Sequence, residues 1–286
     1  MNKNELELVL GRKEFKELID IRHHDFLKNK KVLITGANGS VGAHFQKVLK
    51  EAGVEFLATD IDGNLEYLDI TDFGDCLKWV NKFNPDFIVN IAGLKYATKS
   101  EHQSWKTVKV NIEGTKNLID VSKKECKVIL TSTCKSCNPE IVYGATKLIA
   151  ERMVINAGGS VARFFNVVQS QGNVFEIWHN TNPKHPIKVV EECNRYFISI
   201  DEAVGLILYS MLYPGRFIVN NRVFRNMKDV ANDLLPNKEK LYIEKRRGDR
   251  KNEIFLSTSE KENYEVLEGK ILKVVGDHDK INNYTE

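Results

Sequence analysis

Several features are missing from this 286-residue chain, and each absence excludes a class of protein. No apolar run reaches the roughly eighteen residues a membrane span needs. The first thirty residues carry Glu5, Glu7, Arg12, Lys13 and Glu14 where a secretory leader would be apolar. A cytoplasmic protein with no membrane partner is therefore expected. Lys and Arg number 42 against 39 Asp and Glu, a net charge of only +3 with no block of like charges, so no nucleic-acid partner is expected either. Cysteine is sparse: five residues, an odd number, make no disulfide framework. Cys134-Lys-Ser-Cys137 has a metal-like spacing, but no second pair or His-x3-His element follows to complete four ligands. No metal is expected.

What is present is an alternation of short apolar runs with amphipathic stretches. Lys31-Val-Leu-Ile-Thr35 reads as a strand, and Val41, Phe45, Val48 and Leu49 put one apolar face on the helix that follows. Glu55–Thr59, Asp86–Asn90, Lys127–Thr131 and Val161–Phe165 read as further strands. Helices are expected around Phe73–Val80 (with Cys76 a core thiol), Val108–Ser122, Tyr143–Asn156 and Asp201–Met211. Strict alternation predicts an α/β fold: a doubly wound parallel sheet of the Rossmann type with a small C-terminal substrate lobe. The expected division is an extension at 1–29, a nucleotide-binding domain at 30–168 with parts returning at about 197–235, and a lobe from 169–196 and 236–286. The apolar series Leu6, Leu8, Leu10, Phe15, Leu18 and Ile19 reads as an added helix or an oligomer contact.

Thr35-Gly-Ala-Asn-Gly-Ser-Val-Gly42 follows the first strand and opens the first helix. Gly36, Gly39 and Gly42 there let backbone amides and a helix N-terminus approach a pyrophosphate. Asp60 ends the second strand eighteen residues past Gly42, where a carboxylate accepts from a ribose diol and repels a 2′-phosphate. NAD is the expected cofactor. Further on, Tyr143-Gly-Ala-Thr-Lys147 places a phenol and an ammonium four residues apart on one helix face. A neighbouring cation draws a phenol pKa of about 10 toward the range of a working base, as removal of a hydroxyl proton during hydride transfer requires.

At these residues the chain resembles the extended short-chain dehydrogenase/reductases, and within them the UDP-N-acetylglucosamine 4,6-dehydratases of polysaccharide biosynthesis. The resemblance runs from about Leu10 to Glu253. It implies a cofactor site of Gly36, Asn38, Gly39, Ser40, Val41, Gly42, Asp60, Asp69, Ile70, Ala92, Gly93, Lys95, Asn111, Tyr143 and Lys147. Ala92-Gly-Leu-Lys95 is similar to the family's A-A-x-K, and Asn111 falls where these enzymes keep an asparagine. For a UDP-sugar it implies Lys95, Asn166, Ser170, Gly172, Val174, Arg195 (in an R-Y-F element), Arg246 and Glu253 (in an R-x-G-E/D region). Tyr143 would take the C4 hydroxyl proton, Lys147 would tune it and hold the ribose, and Thr133 would bind the C4 oxygen. Lys135 would remove the C5 proton. The family reads S-T-D-K where this chain has Ser132-Thr-Cys-Lys135, so Cys134 stands where the family's Asp protonates the departing C6 hydroxyl. Phe165 replaces a small residue before Asn-Val. The implied function is an NAD-dependent lyase, with 5,6-dehydration, epimerisation or non-catalytic nucleotide-sugar binding as alternatives. Intact Tyr143, Lys147 and Lys135 argue against the last. A homo-oligomer is expected.

Overall fold

The computed structural model describes residues 1–16, 18, 25–245, 249–267 and 270–274. In chain order the strands are β1 (Lys31–Thr35), β2 (Glu55–Asp60), β3 (Glu66–Tyr67), β4 (Phe87–Asn90), β5 (Lys127–Thr133), β6 (Ser160–Phe164), β7 (Asn166–Val167), β8 (Ile187–Val190), β9 (Asn194–Arg195), β10 (Phe197–Ile198), β11 (Gly215–Val219), β12 (Arg225–Asn226), β13 (Lys240–Ile243), β14 (Tyr264–Leu267) and β15 (Ile271–Val274). The helices are α1 (Lys3–Leu10), α2 (Ser40–Glu51), α3 (Phe73–Phe83), α4 (Ala97–His102), α5 (Ser104–Val108), α6 (Gly114–Val121), α7 (Val142–Asn156), α8 (Val174–Asn180), α9 (Ile200–Leu212) and α10 (Met227–Leu234).

One sheet of nine strands runs β14-β15-β11-β6-β5-β4-β1-β2-β3. From β11 to β3 every pairing is parallel, as the alternation of strands and helices predicts. Both faces of the central strands are covered, which is why they read as unbroken apolar runs. Val32 and Ile34 of β1 join the core beneath α2 and α9, while Leu33 between them joins the core beneath α3, α6 and α7. Cys76 lies in that second core, fully buried. Asp72 accepts from the Asp75 N–H to cap α3, and Ser199 with Glu202 forms a reciprocal cap on α9, so both helices begin at short polar side chains. The strand order reverses between β1 and β4, and a crevice opens at their carboxyl ends.

The lobe stands over that crevice. Its core joins Phe175 and Trp178 of α8, Ile187 and Val189 of β8, and Met227, Val230 and Ala231 of α10. β8 pairs with β13 and β9 with β12. The first part of the N-terminal apolar series is an added helix: Leu6, Val9 and Leu10 of α1 pack into the lobe and Leu8 is exposed, whereas Phe15 and Leu18 join the sheet core beneath α9 and Ile19 lies outside the described residues. Arg12 then grips both oxygens of the buried Glu202 at 2.6 and 3.1 Å, tying this segment to α9. β14 and β15, grouped with the lobe in the sequence reading, instead extend the sheet as an antiparallel pair, β15 lying on β11, with Ile271, Leu272 and Val274 buried. No helix of the described residues is long and apolar enough to cross a membrane.

Candidate active site

A cleft of about 1220 Å³ occupies the crevice between sheet and lobe. Single small-ligand sites measure roughly 300–1,000 Å³, so the space suits two ligands side by side. At one end lies the glycine turn. Gly36 has φ +68°, and a Cβ there would stand 2.5 Å from the Ala92 nitrogen, so only glycine fits between β1 and the loop after β4. A Cβ at Gly42 would meet the Gly36 oxygen at 2.6 Å, so that glycine seats α2 against the turn and does not line the cleft. Gly39 differs: a Cβ there would find nothing closer than 3.4 Å, and as N-cap of α2 it leaves the helix without a side-chain cap. The first amides of α2, at Ser40 and Val41, are left for an anion, and the concavity fits a pyrophosphate. Asp60 closes the far side, accepting from the backbone N–H of Asn38 at 2.9 Å and of Ile61 at 2.8 Å. A dinucleotide fits these residues.

Asn38, Ser40, Val41, Asp69, Ile70, Ala92, Gly93 and Lys95 all line the cleft. Asn111 does not. It is buried one layer behind, accepting from the Leu94 N–H at 2.9 Å and donating to the Leu94 oxygen at 3.1 Å and the Thr146 hydroxyl at 3.0 Å. It thus staples the Ala92–Lys95 loop to α7, and the π-helical turn Lys109–Glu113 aims it there. A ligand-contact assignment for Asn111 is corrected to a supporting one.

Thr133, Lys135, Tyr143 and Lys147 meet on the cleft wall beneath the lobe. Thr133 ends β5 and Lys135 sits in the 3-10 turn Cys134–Ser136 that follows it; the last two share a face of α7. Lys147 is buried and has no hydrogen-bonding or ion-pair partner among the described residues, so its amine is offered to a ligand. Burial pulls it down to about 8, partly offset by Glu151 one turn along. Burial pushes the Tyr143 phenol above its usual value, against the pull of Lys135 and of the Thr133 hydroxyl. The cation that pulls on the phenol here is Lys135, from the turn after β5, where the spacing argument looked to Lys147.

The Lys135 Nζ lies 3.2 Å from Glu253 Oε1 and 3.3 Å from Asn166 Oδ1. Burial is the largest influence and lowers its pKa, but the Glu253 carboxylate, with Cys134 and Tyr143 adding to it, turns the balance and the ammonium form is favoured. Glu253 also accepts from Asn166 Nδ2 at 2.6 Å and the Tyr196 N–H at 3.3 Å. It faces a small side cavity of about 30 Å³ with Arg195, Asp249 and Arg250, not the main cleft. Its assignment to substrate is replaced by an ion pair with Lys135. Cys134 is fully buried and does not line the cleft either. Burial, with Glu253 alongside, pushes its thiol well up, so it stays protonated behind the wall. Arg246 lies outside the described residues.

Behind this wall sits a buried charge cluster that the sequence reading did not find. Arg163 of β6 donates to Glu151 at 2.6 and 3.0 Å and to Glu260 at 2.8 and 2.9 Å. Arg216 pairs with both carboxylates at 2.9 and 3.4 Å. Ser132 and Ser136 donate to Glu151 at 2.6 and 2.8 Å, so the cluster holds both sides of the loop carrying Lys135. Cys137 is part of it, its sulfur 3.1 Å from Arg163 Nη1.

The lobe contributes Asn166, Ser170, Gly172, Val174 and Arg195 to the cleft. Ser170–Gly172 crosses to the cofactor end: the Gln171 N–H donates to Ser40 Oγ at 2.8 Å and Lys95 Nζ reaches the Gln171 oxygen at 3.5 Å. Phe165 is buried against Tyr196 and Phe255, ring centroids 5.0 and 5.7 Å away. Also lining the cleft, and unforeseen, are Tyr96, Phe175, Trp178, Lys188 and Met227. The aromatic pair Phe175 and Trp178, three apart just after Asn173, was the available signal.

The doubly wound sheet, the glycine turn and the Tyr143/Lys147 pair under a small lobe define an enzyme of the extended short-chain dehydrogenase/reductase class. A family model described as polysaccharide biosynthesis protein matches residues 58–274, and the chain belongs to that family. It is 27% identical over 290 residues to the UDP-N-acetylglucosamine 4,6-dehydratase (inverting) of Campylobacter jejuni, covering 87% of this chain and 86% of that one. Among solved structures, Pen from Bacillus thuringiensis superposes with TM-score 0.75 at 23% identity, covering 88% of this chain and 91% of that chain. The UDP-glucose 4-epimerase of Thermus thermophilus in complex with NAD gives 0.68 at 19%, covering 78% and 89%. At these identities the two structures share the fold.

Proposed function

We propose that the protein is an NAD-dependent dehydratase of a UDP-N-acetylhexosamine, with UDP-N-acetylglucosamine 4,6-dehydration as the reaction. One observation carries this reading: a cleft with room for two ligands brings Tyr143, Lys147, Thr133 and Lys135 together opposite the glycine turn and Asp60. The named relative from Campylobacter jejuni and the NAD bound by the Thermus thermophilus epimerase support it. Gly36, Gly39, Ser40 and Asp60 would hold NAD, and the bound dinucleotide supplies a reversible hydride acceptor. Tyr143, protonated at rest, takes the C4 hydroxyl proton once it has lost its own and works as the phenolate, with the Thr133 hydroxyl on the same oxygen. Lys147, unpartnered in the cleft, holds the ribose. Lys95 and Arg195 supply cationic groups for the diphosphate. Lys135 works at C5 and C6. Elimination removes a proton from C5 and delivers one to the oxygen leaving C6, and a single amine that accepts the first and donates the second closes that balance. The buried Cys134 is then not needed as the acid. Incubation of purified protein with UDP-N-acetylglucosamine and NAD, followed by mass and proton NMR, tests the reading. Loss of one water with a C4 ketone and a C6 methyl group supports it. A 5,6-alkene with hydride back at C4 replaces it with 5,6-dehydration. An unchanged mass with altered configuration means epimerisation, and unaltered substrate leaves a binding protein.

A further inference from the structure

Glu253 is the least expected member of the site. It enters from the C-terminal segment, 118 residues beyond its partner Lys135, and is itself buried. Its backbone is fixed by β9: the Glu253 N–H donates to the Asn194 oxygen at 3.2 Å, and the Asn194 N–H to the Lys251 oxygen at 2.8 Å. Both carboxylate oxygens are committed, one to Lys135 and the other to Asn166 and the Tyr196 N–H. The nearby Arg195 guanidinium is tied to the Asn194 and Arg250 oxygens at 2.9 and 2.8 Å, which leaves Lys135 as the cation at ion-pair distance from Glu253 among the described residues. Lys135 in turn faces Glu253, Cys134, Tyr143 and Arg195, with Glu140, Asp249 and Arg250 around the side cavity beyond. In the resting enzyme neither Cys134, closed in behind, nor Tyr143, protonated, supplies a full negative charge.

We propose that Glu253 is a positioning residue that seats the Lys135 amine at the cleft wall and keeps it protonated in the resting enzyme. This rests on the reading of Lys135 as the amine working at C5 and C6, since a resting cation there must give up its proton before it can take one from carbon. Without the carboxylate, burial and the nearby Arg195 cation both act on Lys135 toward the neutral amine.

Trace acetylation with acetic anhydride across about pH 7 to 11, read on the Lys135 peptide against the exposed Lys124, follows the amine directly. In Glu253→Gln the midpoint for Lys135 should fall by about one pH unit or more, the scale of a lost opposite charge at contact. Glu253→Asp, its carboxylate drawn back by one methylene, should fall between parent and Gln. If the Gln variant does not fold, the Asp variant alone decides: a lowered midpoint supports the proposal and an unmoved one overturns it. An unmoved midpoint in a folded Gln variant overturns it equally. The low-pH limb of kcat should shift down in the same variants with KM unchanged. Lowered acetylation midpoints with an unmoved kcat limb would remove Lys135 as the C5 base and leave the role of Glu253 standing, whereas unmoved acetylation removes that role whatever the reaction is.

Discussion

Arg163→Met is the sharpest probe of how the site is held. The substitution keeps an unbranched apolar stem but deletes the guanidinium that spans Glu151 and Glu260 in the interior. Removing one partner of a buried pair costs about 3–5 kcal/mol. Arg216 still reaches both carboxylates, so the lower end, about 3 kcal/mol, applies here. The acid side gives a second figure. Burial alone would raise Glu260, but Arg163 beside it, helped by the Ser257 N–H and by Arg216, holds the carboxyl at about 2 in place of 4.5. At about 1.4 kcal/mol for each tenfold in proton affinity, that whole difference is about 3 kcal/mol, and Arg163 supplies the larger part of it. Because the folded value is the depressed one, this stabilisation is complete above about pH 4.5 and drains away as pH falls toward 2. Urea unfolding at neutral pH should therefore show the variant about 3 kcal/mol weaker, with the gap to the parent closing as the pH is lowered through the acid range. A loss under about 1 kcal/mol at neutral pH, or a gap that widens in acid, would refute the reasoning. Turnover should fall with it, since Ser132 and Ser136 lean on the same Glu151.

Asp60→Ala should narrow the preference for NAD over NADP in titration calorimetry, because the carboxylate that repels a 2′-phosphate is gone; equal affinities in the parent would sink that role. Tyr143→Phe should keep fold and NAD affinity while turnover drops on the order of a hundredfold, and preserved turnover would move the proton transfer elsewhere. Lys147→Met should weaken NAD binding and turnover together, with normal NAD affinity contradicting its ribose role. Cys134→Asp should lower both melting temperature and turnover, since a second carboxylate would be buried against Glu253; raised turnover would show that position 134 reaches the sugar after all.

The parallel sheet was legible because its strands obey local rules. Val32–Ile34 and Val128–Leu130 are continuous apolar runs that only a sheet covered on both faces accommodates, and α2 and α7 follow with helical spacing. The pair β14–β15 was not legible. Tyr264–Leu267 reads Tyr-Glu-Val-Leu, half-polar and short, and it lies outermost on β15, whose own place is set by β11, far earlier in the chain, whose free edge β15 covers. Local pattern holds no information about which distant edge is open.

The same distinction runs through the site. The glycine turn, Asp60 and the Tyr143/Lys147 pair each sit within one element, so spacing alone locates them. Glu253 and Arg163 do not. Arg163 occupies a strand whose other residues, Val161, Ala162 and Phe164, announce a core, and an arginine there is intelligible only once Glu151 from α7 and Glu260 from the C-terminal segment arrive on either side of it. Cys134 poses the converse problem. Its neighbours in sequence, Thr133 and Lys135, face the cleft, while its own side chain turns into the wall. A carboxylate looked for at position 134 is thus found on a segment remote in sequence, at 253, on the far side of Lys135 from the cleft. From there it acts on the amine and has no path to the leaving oxygen, so the proton carried to that oxygen in the proposed elimination must come from Lys135 itself.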